Sequence, residues 1–152
     1  DTYVKTGKVR FVYRHYPFLD SQSTTKESQW SAMASECARD QDKFWQYHDY
    51  LFSHQQGENQ GAFAIANLEK FAKDLGLDTA KFSLCLESNK YQNKILADKQ
   101  AGDKFGVDGT PTTFVNGYRL VGALPFDQKE AEAANQPEGL QTVIERALAA
   151  KK

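Results

Sequence analysis

The residues of this chain whose types could do chemistry are two cysteines, three histidines and one proline loop. Cys37 and Cys85 belong to no C-x-x-C pair, and neither has a second ligand at C-x-x-C or H-x-x-x-H spacing, so no metal site is expected. Each falls on the apolar stripe of a helical pattern, whereas a reactive thiolate needs an accessible, electropositive position such as a helix N-terminus. Two readings stay open: a disulfide joining two helices, the default in an exported chain, or two buried thiols, the default in the cytosol. His15, His48 and His54 are scattered, with no Ser, Cys or carboxylate at a repeated spacing, and read as structural or solvent-facing rather than as catalytic bases. The stretch "GVDG" is no phosphate loop, because no G-K-[ST] follows it.

The proline loop is Gly109-Thr110-Pro111, set directly before the β-branched and aromatic run Thr112-Thr113-Phe114-Val115. Proline has no amide to give a ladder and is placed at a strand's first residue or on an edge. One reading is a plain turn between helix and strand. The other is a cis-proline, a deliberate feature of tight turns, which would turn the carbonyl and amide of Thr110 outward to pair with an extended peptide or hold a substrate beside a reactive sulfur.

The elements that must position these residues follow from periodicity. "KVRFVYRHYP" alternates Val9, Phe11 and Tyr13 with Lys8, Arg10 and Arg14, and predicts a strand ended by Pro17. Thr24 with Glu27 forms a capping-box pattern ahead of a helix carrying Trp30, Met33, Ala34 and Cys37 on one stripe. A second helical pattern sets Phe44, His48, Leu51 and Phe52 on one side, and the Trp and Phe residues at such spacing read as core. A third carries Ile65, Leu68, Ala72 and Leu75 and stops at Gly76. Asp78 caps a fourth with Phe82, Cys85 and Leu86, and a fifth runs from about Lys90 to Phe105. Two strands, 112–115 and 118–121, are joined by Asn116-Gly117, a strong hairpin signal because both residues tolerate positive φ. "KEAEAANQPEG" reads as a solvated connection, and a closing amphipathic helix carries Leu140, Val143, Ile144, Ala147 and Leu148. The opening "DTYVKTG" looks like the last turn of a helix stopped by Gly7. A strand buried on both faces wants two neighbours, so a further strand and helix are expected ahead of Asp1.

Length and composition bound the rest. A chain of 152 residues is the size of one domain. Lys and Arg number 19 against 20 for Asp and Glu, a net charge of −1, which leaves no basic field for nucleic acid or anionic lipid. No apolar run spans a bilayer and no signal-peptide core opens the chain, so no membrane partner is expected.

In this order the pieces resemble the DsbA-like thioredoxin-fold thiol-disulfide oxidoreductases of bacterial cell envelopes. The matching stretches are "KVRFVYRHYPF", "ASECARDQDKFWQYHDYLF", "LGLDTAKFSLCLES" and "GVDGTPTTFVNGYRLVGALPF". The resemblance implies an α/β, thioredoxin-like fold, incomplete at the N-terminus, with the order β, helical block, β, β, α. It places 1–22 and 106–152 in the thioredoxin-like part and 23–105 in an inserted helical subdomain. It implies that Gly109, Thr110 and Pro111 contact substrate through a cis-proline, and that Cys37 and Cys85 form a structural disulfide. The family's catalytic C-x-x-C would lie just before this sequence, so no catalytic residue and no cofactor is expected within it. The implied partners are unfolded or cysteine-containing polypeptides, and the implied location is periplasmic or otherwise extracytoplasmic. A non-catalytic peptide-binding or chaperone module, and a glutathione-binding transferase or isomerase of related topology, are the rival functions. Lacking a central strand, the chain is also expected to dimerise, exchange strands or dissolve poorly.

Overall fold

The computed structural model describes residues 2–150; Asp1, where the entering helix was expected, lies outside them. The chain divides into two compact units, one of residues 14–102 and one of 1–13 with 103–152. These units part at residues 13 and 102, whereas the resemblance divides the chain at 22 and 105. Arg14 pairs with Asp98, His15 with Glu36, and Asp20 holds the start of the first helix, which ties residues 14–22 to the helical unit.

The helical unit contains α1 (Glu27–Arg39), α2 (Phe44–Ser53), α3 (Ile65–Asp74), α4 (Thr79–Glu87) and most of α5 (Gln92–Lys104). Helix α1 packs against α2, α3 and α4. Its buried stripe holds Ala34 and Ala38, small enough to let neighbours close in, together with Met33 and Cys37. Tyr47, Leu68, Ala72, Phe82 and Ile95 complete the core. Cys37 and Cys85 are bonded, joining α1 to α4. Asp78 caps α4 as its sequence position predicts, accepting the amide of Lys81 at 3.1 Å.

Two sequence expectations fail here. The Thr24–Glu27 capping box does not form; the carboxylate of Asp20, in a 3-10 turn at Leu19–Gln22, accepts the amides of Ser28 and Gln29 instead. Glu27 is buried and turned to another task, accepting the amides of Gly61 and Phe63. On α2 the buried residues are Tyr47 and Leu51, while Trp45 is 47% and Phe52 58% exposed. Apolar character is spread around this helix, so periodicity alone points to the wrong face.

In the other unit, residues 3–8 carry the backbone pattern of a helix C-terminus. Lys8 N–H donates to the Tyr3 carbonyl and Gly7 N–H to the Val4 carbonyl, both at 3.0 Å, with Gly7 at φ +72°. The strand predicted over 8–16 is not formed; the sheet of the described residues has only β1 (Thr112–Val115) and β2 (Tyr118–Val121). Alternation prepares a surface for a ladder but does not supply the neighbouring strand, and Phe11 stands 59% exposed. The hairpin has the expected register, Thr112 opposite Val121 and Val115 opposite Tyr118, around Asn116 and Gly117, both at positive φ. The supposed connection holds a short helix, α6 (Gln128–Ala133), which Asp127 caps through the amide of Glu130. Ala131 is fully buried, and α7 (Leu140–Ala149) packs on α6 and β1 with Val143 inward. The observed order is thus helical block, β, β, α, α.

Candidate functional site

The proline loop is built from the end of α5 into β1. Gly106 turns the chain out of the helix at φ +72°, and Asp108 pairs with Arg119 of β2 at 2.5 Å, bracing the loop against the hairpin. The hydroxyl of Thr112 donates to the Gly109 carbonyl at 2.7 Å, and Gly122 N–H donates to the Pro111 carbonyl at 2.9 Å. The Thr110–Pro111 peptide bond is cis. Both residues are exposed, and among the described residues the Thr110 amide donates, and its carbonyl accepts, no hydrogen bond. A rigid, braced loop thus presents one free donor and one free acceptor beside an exposed proline ring, the grouping an extended backbone can pair with. Phe105 and Phe114, 6.1 Å apart edge to face, are exposed in the same unit. A Cβ on Gly109 would meet nothing within 4 Å, so its lack of a side chain is not demanded by packing.

The cysteines and histidines lie in the other unit. Cys37 and Cys85 are bonded to each other and buried, and no free cysteine exists. His48 sits between the rings of Trp45 and Phe52, with Nδ1 2.9 Å from Asp49. His54 stacks on Tyr50 at 4.0 Å. His15 is buried with Nε2 3.0 Å from Glu36 Oε1. The Nδ1 of His54 also lies 3.0 Å from the Ser53 hydroxyl, which itself donates to the Tyr50 carbonyl at 2.9 Å. No group of three or more His, Cys, Asp or Glu side chains placed to hold a metal ion occurs among the described residues, and none of their helices is long and apolar enough to cross a membrane.

Sequence reasoning missed a buried ionic cluster around His15. Glu36 faces His15, lies 2.9 Å from Lys94 Nζ, and has its Oε2 2.8 Å from Arg39 Nη2, close enough for an ion pair but not aligned as a hydrogen bond. Asp98 accepts from Arg14 at 2.7 Å and Lys94 at 3.0 Å. Burial pushes both carboxyls up, but hydrogen bonds from His15 and Lys94 to Glu36, and from Arg14 and Lys94 to Asp98, outweigh it and hold both below the usual carboxylate range. The signal was present: Glu36 and Asp98 sit three residues after Met33 and Ile95, acids placed on apolar stripes.

The comparisons fit this geometry. A protein-family model described as Thioredoxin matches residues 1–146. The chain is 36% identical over 126 residues to "Na(+)/H(+) antiporter NhaA 3" of Salinispora tropica, covering 83% of this chain and 18% of that protein. It is 27% identical over 121 residues to "Probable disulfide bond formation protein D" of Bacillus anthracis, covering 77% of this chain and 54% of that protein. The chain therefore spans about half of the second relative and under a fifth of the first. No solved structure matches it significantly. With a hairpin entered through an exposed proline loop, a helical insertion and a family match over nearly its whole length, the chain belongs to the thioredoxin family and has an α/β, thioredoxin-like fold.

Proposed function

We propose that this chain is the polypeptide-holding part of a DsbA-like thiol-disulfide oxidoreductase working on exported, unfolded or cysteine-containing polypeptides outside the cytoplasm. The carrying observation is Thr110, whose amide and carbonyl stand unengaged beside Pro111 on an exposed, braced loop. The relative named for disulfide bond formation supports the same reading. In exchange, a thiolate attacks one sulfur of a disulfide, forms a mixed disulfide and releases the other sulfur as thiolate; a second thiolate then resolves the intermediate. Neither thiolate is Cys37 or Cys85, which are bonded to each other within the helical core. This chain's part is to fix the substrate backbone, so that a sulfur supplied from elsewhere meets its target in line.

The absence of a free cysteine favours a second reading, a thioredoxin-fold module that binds peptides without exchanging disulfides. Both readings require docking at Thr110. Titrating the isotope-labelled chain with an unfolded, reduced polypeptide is expected to shift the amides of Gly109, Thr110 and Thr112, and Gly109→Leu to block this while leaving the fold intact, because space is open there. Unmoved signals at those residues overturn both readings. A C-x-x-C pair in sequence preceding Asp1 decides for the exchange enzyme, and its absence decides for the module. Insulin-disulfide turnover that survives Cys37→Ser with Cys85→Ser would show that the chain needs no outside sulfur and overturn the division of labour.

A further inference from the structure

The helical unit holds a surface cavity of about 270 Å³ lined by His54, Gln56, Gln60, Asn67, Lys70 and Phe71, with Gly61 and Ala62 at its back. Its outer wall is the loop between α2 and α3, and that loop is fixed from behind. The buried carboxylate of Glu27 accepts Gly61 N–H on one oxygen and Phe63 N–H on the other, each at 2.9 Å. Gly61 is held at φ +89°, a backbone state a side chain would resist. The inner wall is aromatic: the His54 ring stacks on Tyr50 and lies 5.2 Å from the ring of Phe71. The pinned loop and the packed rings fix the backbone and the apolar side of this open pocket.

What the lining residues still offer follows from the bonds they already make. The Nδ2 of Asn67 faces the carbonyls of Gly61 and Ala62 at 3.1 and 3.3 Å; carbonyls only accept, so the amide's donor end is spent and its oxygen remains. Gln60 gives one of its two Nε2 hydrogens to the Glu58 carbonyl at 3.1 Å and keeps the other together with its oxygen. The Nδ1 of His54 lies 2.8 Å from the Tyr50 carbonyl and must carry the hydrogen there, which leaves Nε2 of the neutral ring as an acceptor. Beside these three acceptors stand the second Nε2 hydrogen of Gln60, the whole side-chain amide of Gln56, which both donates and accepts, and the ammonium of Lys70, one of whose hydrogens goes to Asp74 at 2.5 Å.

We infer that this cavity binds a neutral, hydroxyl-rich molecule of monosaccharide size. A hydroxyl group both donates and accepts, so it suits this mixed lining: it donates to the oxygens of Asn67, Gln60 and Gln56 and to His54 Nε2, and accepts from Gln56, Gln60 and Lys70, while the C–H face of a sugar ring lies against the aromatic wall. An anion would meet the free oxygens of Gln60 and Asn67, and a cation would meet the ammonium of Lys70. The volume lies just under the roughly 300 Å³ at which pockets for drug-sized ligands begin. The inference does not depend on the reading of the Thr110 loop, since every residue used belongs to the helical unit.

The test is an NMR titration of the isotope-labelled 152-residue chain with D-glucose, with the cationic D-glucosamine and the anionic glucose 6-phosphate as charge controls. Glucose is expected to give saturable shifts at amides between residues 54 and 71, with both charged sugars binding about tenfold more weakly. Gln56→Ala with Gln60→Ala, at two exposed positions whose loss spares the core, is expected to weaken glucose about tenfold. Absence of saturable shifts with glucose, equal or tighter binding of either charged sugar, or unchanged glucose binding in the double variant would each overturn the inference.

Discussion

Asp20 caps a helix that begins seven residues later: its Oδ1 accepts the amide of Ser28 at 3.0 Å, and its Oδ2 that of Gln29 at 2.8 Å. Two of the four amide donors that α1 leaves unmatched at its start are thereby satisfied from outside the helix. Asp20→Ala should lower stability in urea denaturation by about 1 kcal/mol, the usual value of an N-cap. Thr24→Ala, which removes the residue the sequence pattern favours, should change it by a few tenths at most, because Thr24 is exposed and α1 has no side-chain cap of its own.

Acid should weaken the helical unit through Glu36 and Asp98. Burial pushes each carboxyl up, yet their bonds to His15, Lys94 and Arg14 bring both below the range they have in an unfolded chain. Their contribution is therefore complete above an ordinary carboxylate pKa of about 4 and is lost as pH falls through the lower folded values. Asp98→Asn should cost about 2 kcal/mol at neutral pH and flatten the loss of stability below pH 4 in denaturant titrations. A steeper acid loss in the variant would contradict the assignment.

The Cys37–Cys85 bond closes a loop across 48 positions between α1 and α4. On the chain-entropy model a loop of that length contributes about 4 kcal/mol by restricting the unfolded chain. Reduction, or Cys37→Ala with Cys85→Ala, should move the urea midpoint down by a corresponding amount. Far-ultraviolet circular dichroism before the transition should stay the same, since both cysteines lie among other buried side chains of the core.

Gly139 starts α7 where a Cβ would lie 2.6 Å from the carbonyl carbon and oxygen of Asp127. Its amide donates to Gln128 Oε1, and the next two amides donate to the carbonyls of Pro125 and Phe126. Backbone cannot yield as a flexible side chain does, so Gly139→Ala should destabilise by about 1–3 kcal/mol. Gly109→Ala, where a Cβ meets open space, should leave the thermal midpoint unchanged.

Where a local pattern contained its own answer, the sequence was enough. Asn116-Gly117 specifies its turn because both residues accept positive φ, Asp78 caps α4 three residues on, and the stripe of Leu68 and Ala72 points inward. The cis bond that the resemblance implies at Thr110–Pro111 is also present. Where the partner comes from far along the chain, local pattern failed. Thr24 and Glu27 have capping-box spacing, but Glu27 binds the loop 34 and 36 residues away and Asp20 takes over the cap. The alternation of residues 8–16 marks a strand, yet strand formation depends on a neighbour.

By itself, then, the sequence determined α1 to α5, α7 and the hairpin, because helix stripes and tight turns are settled by residues within a few positions of one another, whereas α6 was read as a connection. Only the tertiary structure decided which acids are buried, which aromatics of α2 face outward and which loop Glu27 pins. Those outcomes rest on groups brought together across tens of residues, and a buried charge such as Glu36 or Asp98 is tolerable only when such distant partners arrive.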